Sequence, residues 1–161
     1  MGLSEAIDRI LPGVTKPVRY LGGEYGSVIK QAEPGMMRYA FLFPDVYEVG
    51  MSHLGMKILY DVINQRPDAW CERVFSPWAD MHDAMKAKAL PLFSLESRTP
   101  LAEFDLLGVT LQYEMSYTNI LSALDLAGIP LKSLDRKTGP FVIAGGPCAF
   151  NPEPLSDLVD L

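Results

Sequence analysis

Short apolar runs alternate with segments of helical hydrophobic periodicity along most of the chain. Each run ends in turn-forming residues, which is typical of strands buried on both faces of a sheet. The runs occupy residues 39–43, 73–75, 105–111 and 141–144. Apolar residues recur at helical spacing over residues 52–64, 77–90 and 117–127. The pattern therefore predicts strands and helices in strict alternation.

The first 37 residues precede this alternation and lack its regularity. Helical spacing predicts a short helix that Ser4 caps and Pro12-Gly13 ends. The prolines and glycines of residues 14–27 predict an irregular arm, and residues 28–36 contain the turn signal of a hairpin. We therefore divide the chain into an N-terminal helix and arm (1–37) and an α/β domain (38–161).

Alternation of this kind predicts a mainly parallel sheet covered on both faces by helices. Right-handed crossovers make it a doubly wound α/β domain, with any ligand at the carboxyl ends of the strands. A last helix is predicted over residues 151–159. The chain ends where the alternation requires another strand, and the strand at 141–144 would then be an apolar edge prone to aggregation. We therefore expect the front part of a longer polypeptide, truncated before its last strand.

Composition excludes several classes of partner. The chain has 14 Lys and Arg against 20 Asp and Glu, a formal net charge of −6, so it lacks the cationic excess that binds nucleic acid. No apolar run is long enough to span a bilayer, and the N-terminus has no hydrophobic signal core. Cys71 and Cys148 are too far apart in sequence for a metal or redox motif. We expect a cytoplasmic protein that contacts neither nucleic acid nor membrane.

The loops after the strands lack the common phosphate-binding and nucleophile motifs. The segment 44–50 has no Gly-x-Gly-x-x-Gly, and neither a Walker lysine motif nor a Gly-x-Ser-x-Gly elbow occurs. Glycines stand in or after successive strands instead. Such a glycine marks either an ordinary turn or a close approach of a ligand. These glycines are Gly50, Gly55, Gly108, Gly145 and Gly146.

Three ionisable residues of the first loop are candidates for chemistry. His53 is a possible metal ligand, with Asp45 or Glu48 as the carboxylate that orients its ring. The alternative is that His53 is hydrogen-bonded within the first helical turn and that the acids cap the adjacent turn. The same three residues would serve a stand-alone α/β enzyme, although no positioned nucleophile is visible.

Three segments in this order and spacing resemble a known family. They are FLFPDVYEVGMSHLGM (41–56), DLLGVTL (105–111) and IAGGPC (143–148). Together they are similar to the N-terminal cobalamin-binding-type domain of radical SAM proteins, over about residues 38–161. The arm motif YLGGE (20–24) resembles one poorly characterised subgroup. The resemblance implies a flavodoxin-like (Rossmann-like) sheet whose carboxyl edge supports a corrin ring.

The resemblance also implies which residues contact cobalamin. The loop 50–55 would lie under the cobalt face, and Thr110 would lie beside the nucleotide tail. The pair Gly145-Gly146 would admit the tail, because a residue without Cβ leaves room there. The expected cofactor-binding residues are Gly50, Ser52, His53, Leu54, Gly55, Thr110, Gly145, Gly146 and Pro147.

Two departures restrict this implication. Cobalamin domains that ligate cobalt through histidine carry Asp-x-His-x-x-Gly, whereas Met51 stands at the Asp position here and Gly55 comes one residue early. We therefore expect no metal ligand in this chain. Three closely spaced cysteines hold the [4Fe–4S] cluster of radical SAM enzymes, and this chain has two remote ones.

Two readings of the domain follow. In the first, it is a cofactor-binding module, and the cluster, SAM and the catalytic residues lie on a downstream radical SAM domain of the same polypeptide. In the second, it is a degenerate domain that no longer binds cobalamin and serves as a docking module. In both, this chain alone is not a catalyst.

Overall fold

Four parallel strands form one sheet in this structure, a computed structural model that describes residues 2–161. The strands lie in the order β2-β1-β3-β4, and each neighbouring pair is parallel. Their bounds are β1 (Met37–Phe43), β2 (Ala69–Phe75), β3 (Leu106–Thr110) and β4 (Phe141–Gly145). This arrangement confirms the predicted α/β fold, with the strand order of flavodoxin-like sheets.

Helices cover the two faces of the sheet unequally. The helices are α1 (Leu3–Ile10), α2 (Tyr47–Ser52), α3 (Leu54–Asn64), α4 (Ala79–Ala87) and α5 (Tyr117–Ala127). Side chains of α1, α4 and α5 form one core with Leu42 and Leu107. Side chains of α3 form a separate core with Tyr39 and Phe41. We call the face that carries Tyr39 and Phe41 the α3 face.

The prediction was correct for most of the domain and inaccurate at several boundaries. Helix α5 has the predicted bounds, and Gly128 ends it with a left-handed φ of 70°. Strand β2 begins four residues earlier than predicted, because the buried Glu72 interrupts its apolar pattern before Arg73. The helix predicted over 52–64 is α3, which begins at Leu54 because His53 has extended backbone angles, and the preceding helix α2 was not predicted.

Three further predictions were wrong. Gly2, not Ser4, is the N-cap of α1. Residues 28–36 form no hairpin. Residues 151–159 form short turns rather than a helix, because Pro152 and Pro154 remove backbone donors that a helix needs.

The arm lies against the carboxyl-terminal end of α3. The Val28 N–H donates to Tyr60 Oη at 2.8 Å, and Trp70 Nε1 donates to the Val28 carbonyl at 3.1 Å. Lys30 Nζ donates to the carbonyls of Asn64, Arg66 and Ala69 at 2.7–2.8 Å. An ammonium group satisfies carbonyls that a helix end leaves unpaired, so the arm is anchored by specific bonds.

The arm also binds α2 through an ion-pair cluster. Arg19 Nε lies 2.9 Å from a Glu48 carboxylate oxygen, and Lys16 Nζ lies 3.2 Å from the other. The Arg19 guanidinium also lies over the ring of Trp78, 5.5 Å from its centroid. The hydrogen bond from Arg19 lowers the pKa of Glu48 to about 2. Glu48 is therefore a permanent anion in this cluster.

The outer edge of β2 has its peptide groups capped by other parts of the chain. The Asn64 side-chain amide accepts from the Cys71 N–H and donates to the Cys71 carbonyl, both at 3.0 Å. Lys30 binds the Ala69 carbonyl. Arg73 is the next residue whose peptide groups point away from β1. Its carbonyl accepts from the Leu95 N–H at 2.8 Å, and its N–H donates to the Glu96 carboxylate at 2.7 Å. A capped edge cannot template pairing with another strand.

Two buried carboxylates, Glu72 of β2 and Glu96 of the loop, fasten the loop 92–99 to β2. Glu72 is fully buried and receives hydrogen bonds from Arg38, from Ser94 Oγ at 2.7 Å and from the Ser97 N–H at 3.0 Å. On the opposite face, Arg73 Nε donates to Glu96 Oε1 at 2.6 Å. Buried charges need such partners. The loop therefore contacts β2 on both faces of the sheet, at Glu72 and at Arg73.

The other edge of the sheet is partly covered by residues 160–161. The Asp160 N–H donates to the Val142 carbonyl, and the Ala144 N–H donates to the Leu161 carbonyl, both at 2.8 Å. Asp160 also bonds Arg136, whose side chain is 4% exposed. The hydrogen bonds of these two residues follow the pattern of a strand that runs parallel to β4.

The caps on β2 predict that Asn64→Leu lowers the free energy of unfolding by about 2–4 kcal/mol, because the Cys71 peptide groups lose their partner inside the protein. Urea unfolding measures this value. Gln65→Leu is the matched control, since its amide is exposed and binds only Asp61 at 2.7 Å, and we expect a change within about 0.5 kcal/mol. Equal losses in the two variants would contradict the role of Asn64.

The Glu48 cluster predicts a pH-dependent contribution to stability. The folded-state pKa of about 2 lies below the ordinary value of 4.5. The contribution is therefore complete above about pH 4.5 and disappears as the pH falls towards 2. We expect the unfolding free energy of the wild type to exceed that of Glu48→Gln at pH 6 and to converge with it near pH 2. Glu153→Gln removes one charge without breaking an ion pair of residues 2–161, and the same pH dependence there would refute the prediction.

Candidate functional site

A cavity of about 330 Å³ opens at the carboxyl ends of β1, β3 and β4, on the α3 face. We call it the edge cavity. Its volume lies at the lower end of the range of about 300–1,000 Å³ that small-molecule pockets occupy. Its walls are Tyr39, Phe41, His53, Gly55, Met56, Leu59, Gly108, Val109, Thr110, Gln112, Ile143, Ala144, Gly145 and Gly146.

The chain connections create this cavity. On the α3 face, the packed core gathers around β1, β2 and α3, and Ile143 of β4 is only partly buried at its margin. Helices α4 and α5, which follow β2 and β3, lie on the opposite face. Neighbouring connections that leave a sheet on opposite sides open a crevice at the strand ends, which is where ligands bind in open α/β sheets. The edge cavity lies at this switch between β1 and β3.

His53 spans the crevice through hydrogen bonds. It caps α3, because its Nδ1 accepts from the Met56 N–H at 3.1 Å. An accepting Nδ1 places the ring proton on Nε2, which donates to Gln112 Oε1 at 3.2 Å. The Gln112 amide in turn donates to Thr110 Oγ1. Both imidazole nitrogens are therefore occupied, and the loop after β1 is tied to the end of β3.

The two glycines at the end of β4 have different surroundings. Gly146 has a φ of +127°, and a Cβ there would lie 2.7 Å from the Leu111 carbonyl oxygen. Its backbone therefore requires glycine. A Cβ on Gly145 would meet no atom within 4 Å. Gly145 thus borders open space, which a side chain would fill without disturbing the fold.

Five of the nine cofactor-binding residues predicted from sequence line the edge cavity. They are His53, Gly55, Thr110, Gly145 and Gly146. The other four lie elsewhere. The Cα of Gly50 packs against the Phe75 ring, Ser52 Oγ donates to the Glu48 carbonyl at 2.7 Å, Leu54 is 69% exposed, and Pro147 begins a short 3-10 turn.

Sequence reasoning missed most of the wall on β1. Tyr39 and Phe41 alternate on the same face as Gly108 and Thr110, because paired residues of neighbouring strands share a face. The apolar run that contains them gives no sign of which face is open. Gln112 was likewise visible only as a polar residue after β3.

The two acids of the first loop lie outside the edge cavity. Asp45 accepts hydrogen bonds from Tyr113 Oη and, at 2.7 Å, from the Val46 N–H. Glu48 is held by Arg19 and its pKa is lowered to about 2, so it cannot exchange protons near neutral pH. These contacts give no acid–base pair with His53.

Two classes of feature are absent from residues 2–161. They contain no cluster of three or more His, Cys, Asp or Glu side chains that could hold a metal ion. In the same part of the chain, no helix combines the length and apolar character that crossing a membrane requires.

Comparison with known proteins identifies the family. Residues 55–161 match the family model described as "Radical SAM proteins, N-terminal". No curated protein and no solved structure gives a match. The matched range begins at Gly55 and includes the cavity walls on β3 and β4. Because the match extends over well more than half of the sequence, the chain belongs to the family of N-terminal domains of radical SAM proteins.

Proposed function

We propose that this domain is the cofactor-binding module of a radical SAM protein and that its cofactor is a cobalamin-type corrinoid. The observation that carries the proposal is that Gly145, which pairs with Thr110 at the ends of β4 and β3, lines the edge cavity and leaves its Cβ position free of any atom within 4 Å. A slot bordered by glycine admits a flat group between strand ends where any side chain would exclude it.

The lining of the edge cavity fits the base of the nucleotide tail of such a cofactor. The residues that would hold the tail are Thr110, Gly145 and Gly146, with Phe41 and Ile143 as apolar walls. The volume of about 330 Å³ suits one base-sized group and excludes a macrocycle. The ring would therefore be held outside the cavity, at the carboxyl edge of the sheet.

The donor set does not fit ligation of cobalt by His53. Its Nδ1 is the cap of α3 and its Nε2 binds Gln112. A metal-ligating histidine needs one free nitrogen and a partner that orients the ring through the other. In our proposal the domain therefore holds the corrinoid by its tail. When bound, the corrinoid supplies organocobalt chemistry that side chains lack.

The remaining chemistry of a radical SAM protein is assigned to its catalytic domain. A [4Fe–4S] cluster requires three cysteine thiolates close together, whereas Cys71 lies inside β2 and Cys148 follows β4. We propose that the cluster and SAM bind to the radical SAM domain, which is also the partner of this module. Buried reduced thiols fit a cytoplasmic location.

A second candidate function is a docking module that binds no cofactor. Exposed apolar side chains in the loops at the carboxyl edge favour it. Met115 follows β3 and is 86% exposed, and Phe150 follows β4 and is 83% exposed. Exposed apolar residues in loops that follow neighbouring strands are candidates for an interaction surface.

Titration of the purified chain with hydroxocobalamin tests the first candidate. We expect the visible spectrum to change and the corrinoid to stay with the protein on desalting. Gly145→Leu fills the open space, so we expect at least about tenfold weaker binding with an unchanged unfolding transition. Gly13→Leu is the matched control, because a Cβ there also meets no atom within 4 Å and the residue is remote in sequence from the edge cavity.

Two results would decide between the candidates. If the wild type retains no corrinoid, the cofactor proposal is wrong. If the wild type then binds a separately expressed radical SAM domain without corrinoid, and Met115→Ser with Phe150→Ser weakens that binding, the docking module is supported.

A further inference from the structure

Tyr39 places a hydroxyl group in the edge cavity. Its side chain is 9% exposed and belongs to the core under α3. In the sheet Tyr39 lies opposite Leu106, but its ring leans along β3 towards the carboxyl edge, over Gly108. A Cβ on Gly108 would overlap the Tyr39 hydroxyl. The glycine in β3 therefore makes room for this phenol.

The Tyr39 hydroxyl has no hydrogen-bond partner among residues 2–161, whereas each of the other two buried tyrosines has one. Tyr60 Oη accepts from the Val28 N–H at 2.8 Å, and Tyr20 Oη accepts from the Trp78 N–H at 3.0 Å. Buried tyrosine hydroxyls usually have a partner of this kind. Tyr39 lines the edge cavity, so its unused donor faces the space that a ligand would fill.

The other walls define the chemistry of that ligand. Asp, Glu, Lys and Arg are all absent from the lining, so nothing there compensates the charge of a phosphate or carboxylate. Phe41, Met56 and Ile143 supply apolar surface. Burial raises the pKa of Tyr39 far above its ordinary value, so the phenol remains a donor near neutral pH. The site therefore matches a flat, neutral ring with a hydrogen-bond acceptor.

We propose that Tyr39 is a ligand-binding residue whose hydroxyl donates to an acceptor atom of a neutral heteroaromatic base in the edge cavity. If the proposed function holds, this base belongs to the nucleotide tail of the corrinoid. A free nucleoside also carries a neutral heteroaromatic base with an acceptor atom. The two sources are distinguished by the choice of probe.

The test compares three probes on the wild type and on Tyr39→Phe. Hydroxocobalamin carries the nucleotide base, cobinamide has the corrin ring without it, and adenosine is a base without the ring. We expect Tyr39→Phe to weaken hydroxocobalamin binding by about 3- to 10-fold, as for loss of one hydrogen bond, and to leave cobinamide binding unchanged. Because the hydroxyl has no partner among residues 2–161, the variant should unfold at the same urea concentration as the wild type.

Tyr60→Phe is the matched control. Its hydroxyl holds the arm through Val28 and does not line the cavity, so we expect lower stability and unchanged binding. If adenosine alone binds and Tyr39→Phe weakens it, the inference stands and the corrinoid proposal fails. If hydroxocobalamin binds both proteins equally, the inference is wrong and the proposed function survives. If the wild type binds no probe, both are wrong.

Discussion

The handedness of the strand connections is the constraint on which the rest of this domain depends. A right-handed crossover from β1 to β2 places α3 on one face, and the later crossovers place α4 and α5 on the other. The connections that leave β1 and β3 therefore lie on opposite faces of the sheet, and the switch point lies between these two strands. The edge cavity, the contact of His53 with Gln112 and the free hydroxyl of Tyr39 all lie beside that switch point. Local residue chemistry then determines what the opening can hold.

The sequence was sufficient to predict the class of fold because the strands of a parallel sheet are apolar on both faces. The runs that became β1, β3 and β4 are mostly apolar. Strand β2 was recognised only from Arg73 onwards, since Glu72 looks like a surface residue until its buried partner Arg38 is known. The split between α2 and α3 was hidden for a related reason, because His53 acts as a cap through its side chain.

The site could be predicted only in part. A glycine has no side chain and can leave space for a ligand, so Gly55, Gly145 and Gly146 could be predicted from the sequence. The same reasoning could not separate a glycine that opens space, such as Gly145, from one that fits against an aromatic ring, such as Gly50. Tyr39 was missed because a sequence does not show whether a buried hydroxyl has a hydrogen-bond partner. In the structure, the Tyr39 hydroxyl lies over Gly108 without a partner among residues 2–161.

The capping of β2 has a consequence for how the sheet can be extended. Asn64, Lys30 and the loop 92–99 occupy the outward peptide groups of that strand with side chains and one backbone amide. Hydrogen bonds to an incoming chain are thus withheld at this border, while Leu161 already pairs with β4 at the opposite one. The two borders of the sheet are therefore unequal: backbone pairs with backbone beside β4, as at Leu161, whereas side chains occupy most of that position beside β2.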